Sequence, residues 1–493
     1  MGKSSGKSTR HLEVERKFDV GESTVSPSFE GLSAVARVEG SPAHHLEAVY
    51  FDTPDHDLAA RRITLRRRTG GPDEGWHLKL PAGPDARTEV RQPLGGENEV
   101  PEALRDIVLA IVRDQPLRPV ARISTRRTVN LLYGPDGTPV AEFCDDAVTA
   151  SAEPGGPEQA WREWELELTD GADRELLDRL SNRLIDAGAE PAASGSKLAR
   201  VLAESAAPED ALRPADADAV HRAVAEQVEQ LIEWDRAVRA DVPDSVHQMR
   251  VTTRKIRSLL QTSRDAFGIS DDAWILDELK QLAGILGVAR DAEVLAERYE
   301  EALGELPAEL VRGPVRERLV DGAKHRYAAG LRRSLIAMRS QRYFRLLDAL
   351  EGLVAAKPAL PQDEDERTQA TIDAAYKRVR KAAKTAARAD EDKDEALHRI
   401  RKGAKRLRYA AAATGAAKVS DRAKSIQSLL GDHQDSVVSR AHLSQQADAA
   451  HAAGEDTFTY GLLFRMEEEL AHRSREQLDD ALAKLAKAVR KAR

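Results

Sequence analysis

The sequence has one cysteine, few aromatic residues and no long apolar run, and each shortage excludes a class of protein. Cys144 cannot form an intrachain disulfide, which argues against a disulfide-stapled secreted domain and fits a reducing compartment. No apolar stretch approaches the ~20 residues of a membrane helix, and the polar N-terminus lacks the apolar segment of a secretory signal. Aromatic residues make up 4% of the chain and charged residues 32%. We therefore expect a cytoplasmic protein with helical, ion-paired architecture and no membrane association.

The 493 residues suffice for two or three domains, and the spacing of apolar residues divides them into two parts. Residues 8–204 combine short alternating segments with frequent Gly and Pro turns, which predicts antiparallel strands in a barrel or a sandwich. Residues 205–216 are polar and contain proline, as a linker would. Residues 217–490 are rich in Ala, Leu, Arg and Glu at helical spacing, which predicts an all-α domain.

The helical part contains an internal repeat, with units of about 217–357 and 368–490. The segment HQMRVTTRKIR (247–257) matches HRIRKGAKRLR (398–408) in its histidine and in its spacing of basic residues. Each unit also has a Leu-Gly pair followed by an aspartate, at Leu286–Asp291 and at Leu430–Asp435. A duplicated four-helix bundle is the simplest explanation of both matches.

Several strands of the N-terminal part have one charged face and one apolar face. Glu13, Glu15 and Lys17 share a face of the first strand, because side chains alternate along a strand. Acidic residues concentrate in the first and last strands, and basic residues concentrate in the middle strands. For any one strand, a surface with solvated charges is the alternative explanation.

A closed barrel with a charged lumen would bring the acidic and the basic strands face to face. Arginine and lysine side chains hold phosphate oxygens, and clustered carboxylates hold hard ions such as Mg²⁺ or Mn²⁺. A phosphoanhydride between the two sets is the substrate that this pattern predicts. The metal would neutralise phosphoryl charge and orient an attacking water.

These strands resemble CYTH domains, of the triphosphate tunnel metalloenzyme superfamily. The ExExK motif of Glu13, Glu15 and Lys17 is followed in the expected order by YFDTPDHDLAARRITLRRR (50–68), WHLKLP (76–81), AEFCDD (141–146), REWELEL (162–168) and SKLAR (196–200). The resemblance covers essentially all of residues 8–204. It implies an eight-stranded antiparallel tunnel that hydrolyses a triphosphate with a divalent metal.

The same resemblance implies roles for individual residues. The catalytic residues are expected to be Glu13, Glu15 and Lys17. The expected metal ligands are Glu13, Glu15, Glu163, Glu165 and Glu142, with Glu167 as a helper. The expected triphosphate ligands are Lys17, Arg66, Arg68, Lys79, Arg126 and Lys197. The choice between Arg126 and Arg127 stays open, and family members often carry a basic residue where this chain has Ser124. A surface ladder of ion pairs explains Arg87, Glu89 and Arg91 equally well, and His77 is expected to be a packing residue.

Two helical segments of the C-terminal part carry stripes of basic residues, because helical neighbours lie three and four residues apart. The stripes are His247, Arg250, Arg254 and Arg257, and His398, Arg401, Lys405 and Arg408. Like charges so spaced repel each other, and a polyanion laid along both stripes would offset that repulsion. Metal binding by the two histidines is the weaker alternative, since no ligand follows either at helical spacing.

This part resembles the CHAD domain, a histidine-containing α-helical domain with an internal duplication. The resemblance implies binding of inorganic polyphosphate on a basic surface. The expected contacts are Arg250, Arg254, Arg257, Arg401, Lys405 and Arg408, extended by Lys377 and Lys381. Asp291 and Asp435 are expected to brace the basic helices. Nucleic acid ranks well below polyphosphate because the basic helices lack interleaved aromatic residues.

The sequence therefore predicts an α+β protein: an N-terminal eight-stranded antiparallel β tunnel, followed by an all-α duplicated four-helix-bundle domain. Its expected activity is metal-dependent hydrolysis of inorganic triphosphate with Mg²⁺ or Mn²⁺, with polyphosphate bound by the helices and an association with polyphosphate granules. Two alternatives stay open: a non-enzymatic polyphosphate-binding scaffold, and an adenylyl cyclase or another enzyme acting on a nucleoside triphosphate. The oligomeric state is not predicted.

Overall fold

The computed structural model describes residues 9–95, 99–203, 219–270, 273–356, 364–388 and 393–492. The chain divides into two compact units, Met1–Glu209 and Asp210–Arg493. The linker expected at 205–216 lies outside the described residues. None of the described helices is long and apolar enough to cross a membrane.

The first unit is built on one antiparallel sheet. Its strands are β1 (Thr9–Val20), β2 (Arg37–Gly40), β3 (His44–Asp52), β4 (Thr64–Thr69), β5 (Gly75–Pro81), β6 (Ala86–Gln92), β7 (Arg118–Tyr133), β8 (Pro139–Ala152), β9 (Glu158–Leu168) and β10 (Glu190–Pro191). Its helices are α1 (Glu102–Ile107), α2 (Leu109–Val112), α3 (Arg174–Asp186) and α4 (Lys197–Leu202).

Eight of these strands close into a barrel. Neighbours follow the order β1-β6-β5-β4-β3-β7-β8-β9, and β9 pairs back with β1 so that Val14 lies opposite Leu168 and Lys17 opposite Glu165. Two short strands extend this wall, since β2 pairs with the far end of β7 and β10 with the end of β1. The predicted eight-stranded antiparallel tunnel is confirmed.

The apolar faces of several strands pack outside the barrel, beneath the helices of this unit. Leu177, Leu180 and Leu184 of α3 belong to one buried cluster with Phe143 and Trp164 of β8 and β9. This arrangement follows from strand alternation, because a strand that presents apolar residues to an outer helix presents its other residues to the lumen. The side chains of Glu13, Glu15 and Lys17 of β1 and of Glu165 and Glu167 of β9 are thereby directed inward.

The second unit is helical. Its helices are α5 (Ala219–Arg239), α6 (Ser245–Thr262), α7 (Arg264–Phe267), α8 (Trp274–Glu305), α9 (Gly322–Ala337), α10 (Gln341–Ala355), α11 (Glu364–Ala386), α12 (Lys393–Ala413), α13 (Ala417–Ala452), α14 (Phe458–Glu476) and α15 (Leu478–Lys491). A π-helical turn, Glu317–Asp321, leads directly into α9.

The two sequence repeats form two related sets of helices. In the first set α6 packs between α5 and the long helix α8, and in the second α12 packs between α11 and the long helix α13. Ile400 of α12, Ile426 of α13 and Leu485 of α15 share one buried core of the second set. The basic helices α6 and α12 also contact each other, which brings the two stripes together. The predicted duplicated helical domain is confirmed.

Candidate active site and basic helical cluster

The barrel encloses a cavity of about 800 Å³ that is lined by residues from all eight barrel strands. Strand alternation explains the lining, because every second residue of each strand faces the lumen. Of the residues predicted from the sequence, those that line the cavity are Glu13, Glu15, Lys17, Arg66, Arg68, Lys79, Glu142, Glu165, Glu167 and Lys197. Arg87, Glu89 and Arg91, for which a surface ladder was an equal explanation, line it as well.

Arg127, and not Arg126, is the tunnel arginine of β7. Arg127 lies opposite Asp146 of β8 and lines the cavity, whereas Arg126 is exposed on the outer face of the strand. The prediction of Arg126 as a triphosphate ligand is therefore corrected. Ser124 shares the outer face with Arg126 and donates to Glu47 at 2.8 Å. With Arg127 as the tunnel arginine, the position two residues before it is the buried Thr125. Because Thr125 is not basic either, the departure from the family pattern falls on Thr125 instead of Ser124.

Three buried carboxylates, from Asp146, Glu163 and Glu165, lie within 4.8 Å of one another. Glu163 does not line the main cavity but is buried beside Lys197, with a 2.5 Å hydrogen bond from the Trp161 indole. Sequence reasoning missed Asp146, which is the last residue of the AEFCDD segment. Its spacing of four residues from Glu142 was the available signal, because residues four apart share a face of a strand.

The chain's own cations bind this carboxylate cluster. The Lys197 ammonium lies 2.9 Å from Asp146, 2.7 Å from Glu163 and 2.7 Å from Glu165. Burial would raise the pKa of Glu165, but Lys17, Lys197 and Arg127 hold it well below the usual range. These three buried carboxylates already stabilise positive charge, and carboxylate oxygens are the ligands that Mg²⁺ and Mn²⁺ prefer. The residues therefore fit a divalent metal.

Glu15 and Lys17 connect this cluster to the rest of the lumen. The Lys17 ammonium lies 2.9 Å from Glu15 and 2.6 Å from Glu165. Burial acts to raise the pKa of Glu15, but the charges of Lys17 and Lys79 outweigh it and lower that pKa to about 2. Glu15 is thus a carboxylate at neutral pH, and Lys17 holds it close to the three-carboxylate cluster.

A second group of acidic residues lies further along β1 and β9. The Glu13 carboxylate lies 2.5 Å from the Lys79 ammonium. Burial and repulsion from Glu13 raise the pKa of Glu167 to about 8, against the opposing charge of Lys79. His77, expected to be a packing residue, is buried and hydrogen-bonds Glu89 at 2.8 Å. With a pKa of about 8, Glu167 is mostly protonated at neutral pH.

The basic side of the lumen ends in a small pocket beside the main cavity. The four cations Arg66, Arg68, Arg127 and Lys197 line this pocket. Its lining residues include no carboxylate. Tyr50 and Thr125 add hydroxyl groups, and Arg66 donates to the Tyr50 hydroxyl at 3.3 Å. Converging guanidinium and hydroxyl groups can hold the oxygens of a phosphoryl group.

The basic stripes of α6 and α12 form one cluster in the helical unit, which we call the helical basic cluster (Arg250, Arg254, Arg401, Lys405 and Arg408). Burial, with repulsion from Arg254 and Arg401, lowers the pKa of Lys405 to about 6. Arg250 is braced by Asp291 at 3.2 Å. The cluster therefore holds an excess of positive charge in a partly desolvated place.

The other predicted polyphosphate contacts are Arg257, Lys377 and Lys381. Arg257 donates to the Leu276 carbonyl at 3.0 Å, whereas Arg408, a member of the cluster, donates to Gln427 at 3.1 Å. Lys377 and Lys381 are exposed on α11, outside the described interactions of the cluster. Among the described residues, neither His247 nor His398 belongs to a group of three or more metal-ligating side chains.

Comparison with known proteins gives matches to both parts of the chain. The model of the CYTH domain matches residues 11–198, and the model of the CHAD domain matches residues 222–444, so both sequence resemblances are confirmed. The uncharacterized protein Rv2226 of Mycobacterium tuberculosis (strain ATCC 25618 / H37Rv) is 66% identical to this chain over an aligned length of 504 residues. The alignment covers 98% of this chain and 98% of that protein.

Solved structures resemble the two parts separately. The CHAD domain from the plant Ricinus communis has 23% identity and a TM-score of 0.44, and the match covers 55% of this chain and 93% of that chain. The protein HpAC1 from Hippeastrum, described as revealing a dominant triphosphatase activity, has 14% identity and a TM-score of 0.23. That match covers 40% of this chain and 98% of the Hippeastrum chain.

Proposed function

Because the chain belongs to the family of proteins that join a CYTH domain to a CHAD domain, we propose that its tunnel hydrolyses inorganic triphosphate with a divalent metal. CYTH domains bind triphosphate-containing substrates, and their superfamily typically consists of metal-dependent enzymes of phosphate transfer or hydrolysis. The observation that carries the proposal is the cavity, in which carboxylates and cations from different strands face one another. Mg²⁺ or Mn²⁺ is the proposed metal, since both are hard ions that prefer oxygen ligands.

The acidic side of the tunnel is the proposed metal side. Asp146, Glu163 and Glu165 would hold the ion, and Glu13, Glu15 and Glu142 are the further proposed ligands. The bound metal supplies neutralisation of phosphoryl charge and orientation of the attacking water. Lys17 holds Glu15 and Glu165 in position, through its contacts of 2.9 Å and 2.6 Å with them.

The basic side of the tunnel is the proposed phosphate side. The side chains that would bind the substrate oxygens are Lys17, Arg66, Arg68, Lys79, Arg127 and Lys197. Fixed cations in a buried site stabilise charge that develops on the phosphoryl oxygens during in-line attack, and they need little reorganisation to do so. Because most of the lining near these residues is charged, a substrate that is charged along its whole length fits best. This favours inorganic triphosphate over a nucleotide.

The test is phosphate release from tripolyphosphate and from ATP, each with Mg²⁺ or Mn²⁺. Wild type should release phosphate from tripolyphosphate, and a Glu13→Ala/Glu15→Ala variant should not. Glu47→Ala is the matched control, because Glu47 is an exposed carboxylate that contacts Ser124 on the outer face of the barrel. Folded wild type that releases phosphate from neither compound would remove the enzymatic proposal. Greater turnover of ATP than of tripolyphosphate would instead favour a nucleotide-acting enzyme.

We further propose that the helical basic cluster binds inorganic polyphosphate. The supporting observation is that α6 and α12 contact each other and gather five basic side chains, where burial and repulsion from the other four lower the pKa of Lys405 to about 6. A polyanion would replace this repulsion by attraction and release counterions. Titration of the full chain with polyphosphate at several salt concentrations tests the proposal. Polyphosphate binding without any phosphate release would identify the protein as a non-enzymatic scaffold.

A further inference from the structure

The ammonium of Lys197 lies where a divalent metal would bind. Its three contacts, of 2.9 Å, 2.7 Å and 2.7 Å, go to the same three carboxylates that form the candidate metal site. Lys197 is buried; its ammonium donates a hydrogen bond to Glu165 and forms ion pairs with Asp146 and Glu163. Lys197 is thus an internal counter-ion of the three carboxylates.

A divalent metal and this ammonium compete for the same carboxylate oxygens. Mg²⁺ binds carboxylate oxygens at about 2.1 Å, so a metal bound to oxygens that also contact the ammonium would lie within a few ångströms of a like charge. This repulsion favours the departure of one of the two cations. Arg127 is poorly suited to move, because its guanidinium binds both oxygens of Asp146, at 2.8 Å and 2.6 Å, in a planar fork.

Lys197 can move by rotation of its side chain alone. A lysine ammonium sits on a flexible four-carbon stem with no fixed direction of bonding. Lys197 also lines the small pocket in which Arg66, Arg68 and Arg127 converge. The backbone at Lys197 need not move, because Lys197 is the first residue of α4. Ser196 caps this helix by accepting a hydrogen bond from the Ala199 amide at 3.0 Å.

We propose that a divalent metal displaces the Lys197 ammonium from Asp146, Glu163 and Glu165, and that the displaced ammonium then binds a phosphoryl oxygen of the substrate. The inference rests on the proposed triphosphatase function and deepens it, because one side chain couples metal binding to substrate binding. No covalent bond changes in this step. A cation that competes with the metal lowers metal affinity, so Lys197 weakens metal binding in the absence of substrate and assists turnover in its presence.

The test is a titration of the full chain with Mn²⁺ alone, by calorimetry or electron paramagnetic resonance, followed by tripolyphosphate hydrolysis. In Lys197→Met, Mn²⁺ affinity should rise by at least about tenfold because a competing buried charge is gone. Hydrolysis should fall by at least about 100-fold because a phosphate ligand is lost. A rise in Mn²⁺ affinity together with a fall in tripolyphosphate hydrolysis is the result that displacement predicts.

Arg66→Gln is the matched control. It also removes a buried tunnel cation, but Arg66 donates to the Tyr50 hydroxyl rather than to the three carboxylates. Its Mn²⁺ affinity should stay within about threefold of wild type while hydrolysis falls, since only long-range repulsion is removed. Lys197→Gln serves as a second variant, and circular dichroism establishes that each protein is folded.

The outcomes separate this inference from the proposed function. Unchanged or weaker Mn²⁺ affinity in the folded Lys197 variants would overturn the inference, as would an equal rise in Arg66→Gln. Wild type that binds Mn²⁺ but hydrolyses no tripolyphosphate would overturn the proposed function instead. The metal titration needs no turnover, so the two failures cannot be confused.

Discussion

Arg127 joins the acidic and the basic sides of the tunnel at a single residue. Its guanidinium donates to Asp146 and to Glu165, and it also lines the small pocket with Arg66 and Lys197. Five donors in a rigid fork allow one arginine to brace carboxylates and still present N–H groups to a phosphate. The adjacent Arg126 points away from this site.

Substitution of the two arginines should therefore have very different effects. Arg127→Gln should lower kcat/KM for tripolyphosphate by at least about 100-fold, because a transition-state ligand is lost. It should also lower the free energy of unfolding by roughly 1.5–3 kcal/mol, because Asp146 loses a buried hydrogen-bond donor but keeps its ion pair with Lys197. Arg126→Gln should stay within about twofold of wild type in kcat/KM, as an exposed substitution would. Steady-state kinetics and thermal unfolding measure both quantities, and similar losses in the two variants would contradict the assigned register.

Lys405 should make polyphosphate binding depend on pH. The pKa of Lys405 in the empty cluster is about 6, lowered by burial and by Arg254 and Arg401, and a bound polyanion raises it. At a pH between the pKa of Lys405 in the free protein and its higher pKa in the complex, Lys405 takes up a proton when polyphosphate binds. Affinity should thus be greatest below about pH 6 and should fall as pH rises through that window.

Lys405→Arg is the variant that tests this, because arginine stays protonated throughout. Its affinity should fall less steeply between pH 6 and 9, and the proton uptake seen by calorimetry in buffers of different ionisation enthalpy should decrease. His398 has a pKa lowered by burial and titrates in both proteins, so it cancels in the comparison. Equal pH dependence in the two proteins would rule out Lys405 as the titrating group.

At the scale of elements, each long helix of the helical unit has a glycine beneath an arginine of the basic cluster. A Cβ atom at Gly287 of α8 would lie 3.2 Å from the Arg250 guanidinium, and one at Gly431 of α13 would lie 3.3 Å from that of Arg401. These distances are tighter than ordinary van der Waals contact. The Leu-Gly-x-x-x-Asp motif of both repeats thus places its glycine against the basic helix, and in the first repeat Asp291 braces the same arginine.

Gly287→Ala and Gly284→Ala form a matched pair within α8. A Cβ at Gly284 meets no atom within 4 Å, so alanine there should stabilise the helix by about 0.5–1 kcal/mol. Gly287→Ala should lose most of that gain and should weaken polyphosphate binding by about threefold to tenfold, because Arg250 must shift. Calorimetric affinity and thermal unfolding measure both effects. Unchanged affinity in Gly287→Ala would show that the glycine does not position the arginine.

Strand alternation explains why β1 could be interpreted from the sequence and β7 could not. In β1 the residues Glu13, Glu15 and Lys17 share one face, their neighbours on the other face are apolar except for Arg16, and the structure directs all three into the cavity. In β7 Val129 and Leu131 lie on the tunnel face together with Arg127. Since apolar residues occupy the charged face there, the sequence pattern could not choose between Arg126 and Arg127.

Asp146 was missed for a similar reason, because two aspartates stand next to each other in β8. Asp145 pairs with Arg162 at 2.6 Å, away from the lumen, whereas Asp146 lies opposite Arg127. Alternation assigns two adjacent acids to opposite faces, but only the pairing with β7 decides which one is inside. The fold could thus be predicted from periodicity, whereas these two site residues required the register.

At the scale of the whole molecule, the net charge of −8 averages two units with different chemistry. In the first unit the cations of the tunnel are largely paired with carboxylates, as Lys17 is with Glu15 and Glu165. In the second unit the basic cluster has fewer acidic partners, such as Asp291 for Arg250. Each unit has its own buried core, so a change in one site need not disturb the fold of the other.

Variants at the two sites should therefore separate the two proposed activities. Arg250→Gln/Arg401→Gln should weaken polyphosphate binding by at least about tenfold and should reduce its salt dependence, because two phosphate contacts are lost. Its hydrolysis of tripolyphosphate should stay within about twofold of wild type, since the substituted residues belong to the other unit, which has its own buried core. Glu13→Ala/Glu15→Ala should show the reverse pattern. A folded Arg250→Gln/Arg401→Gln protein whose tripolyphosphate hydrolysis falls more than about tenfold would contradict independence, because so large a loss requires a coupling free energy between the two sites.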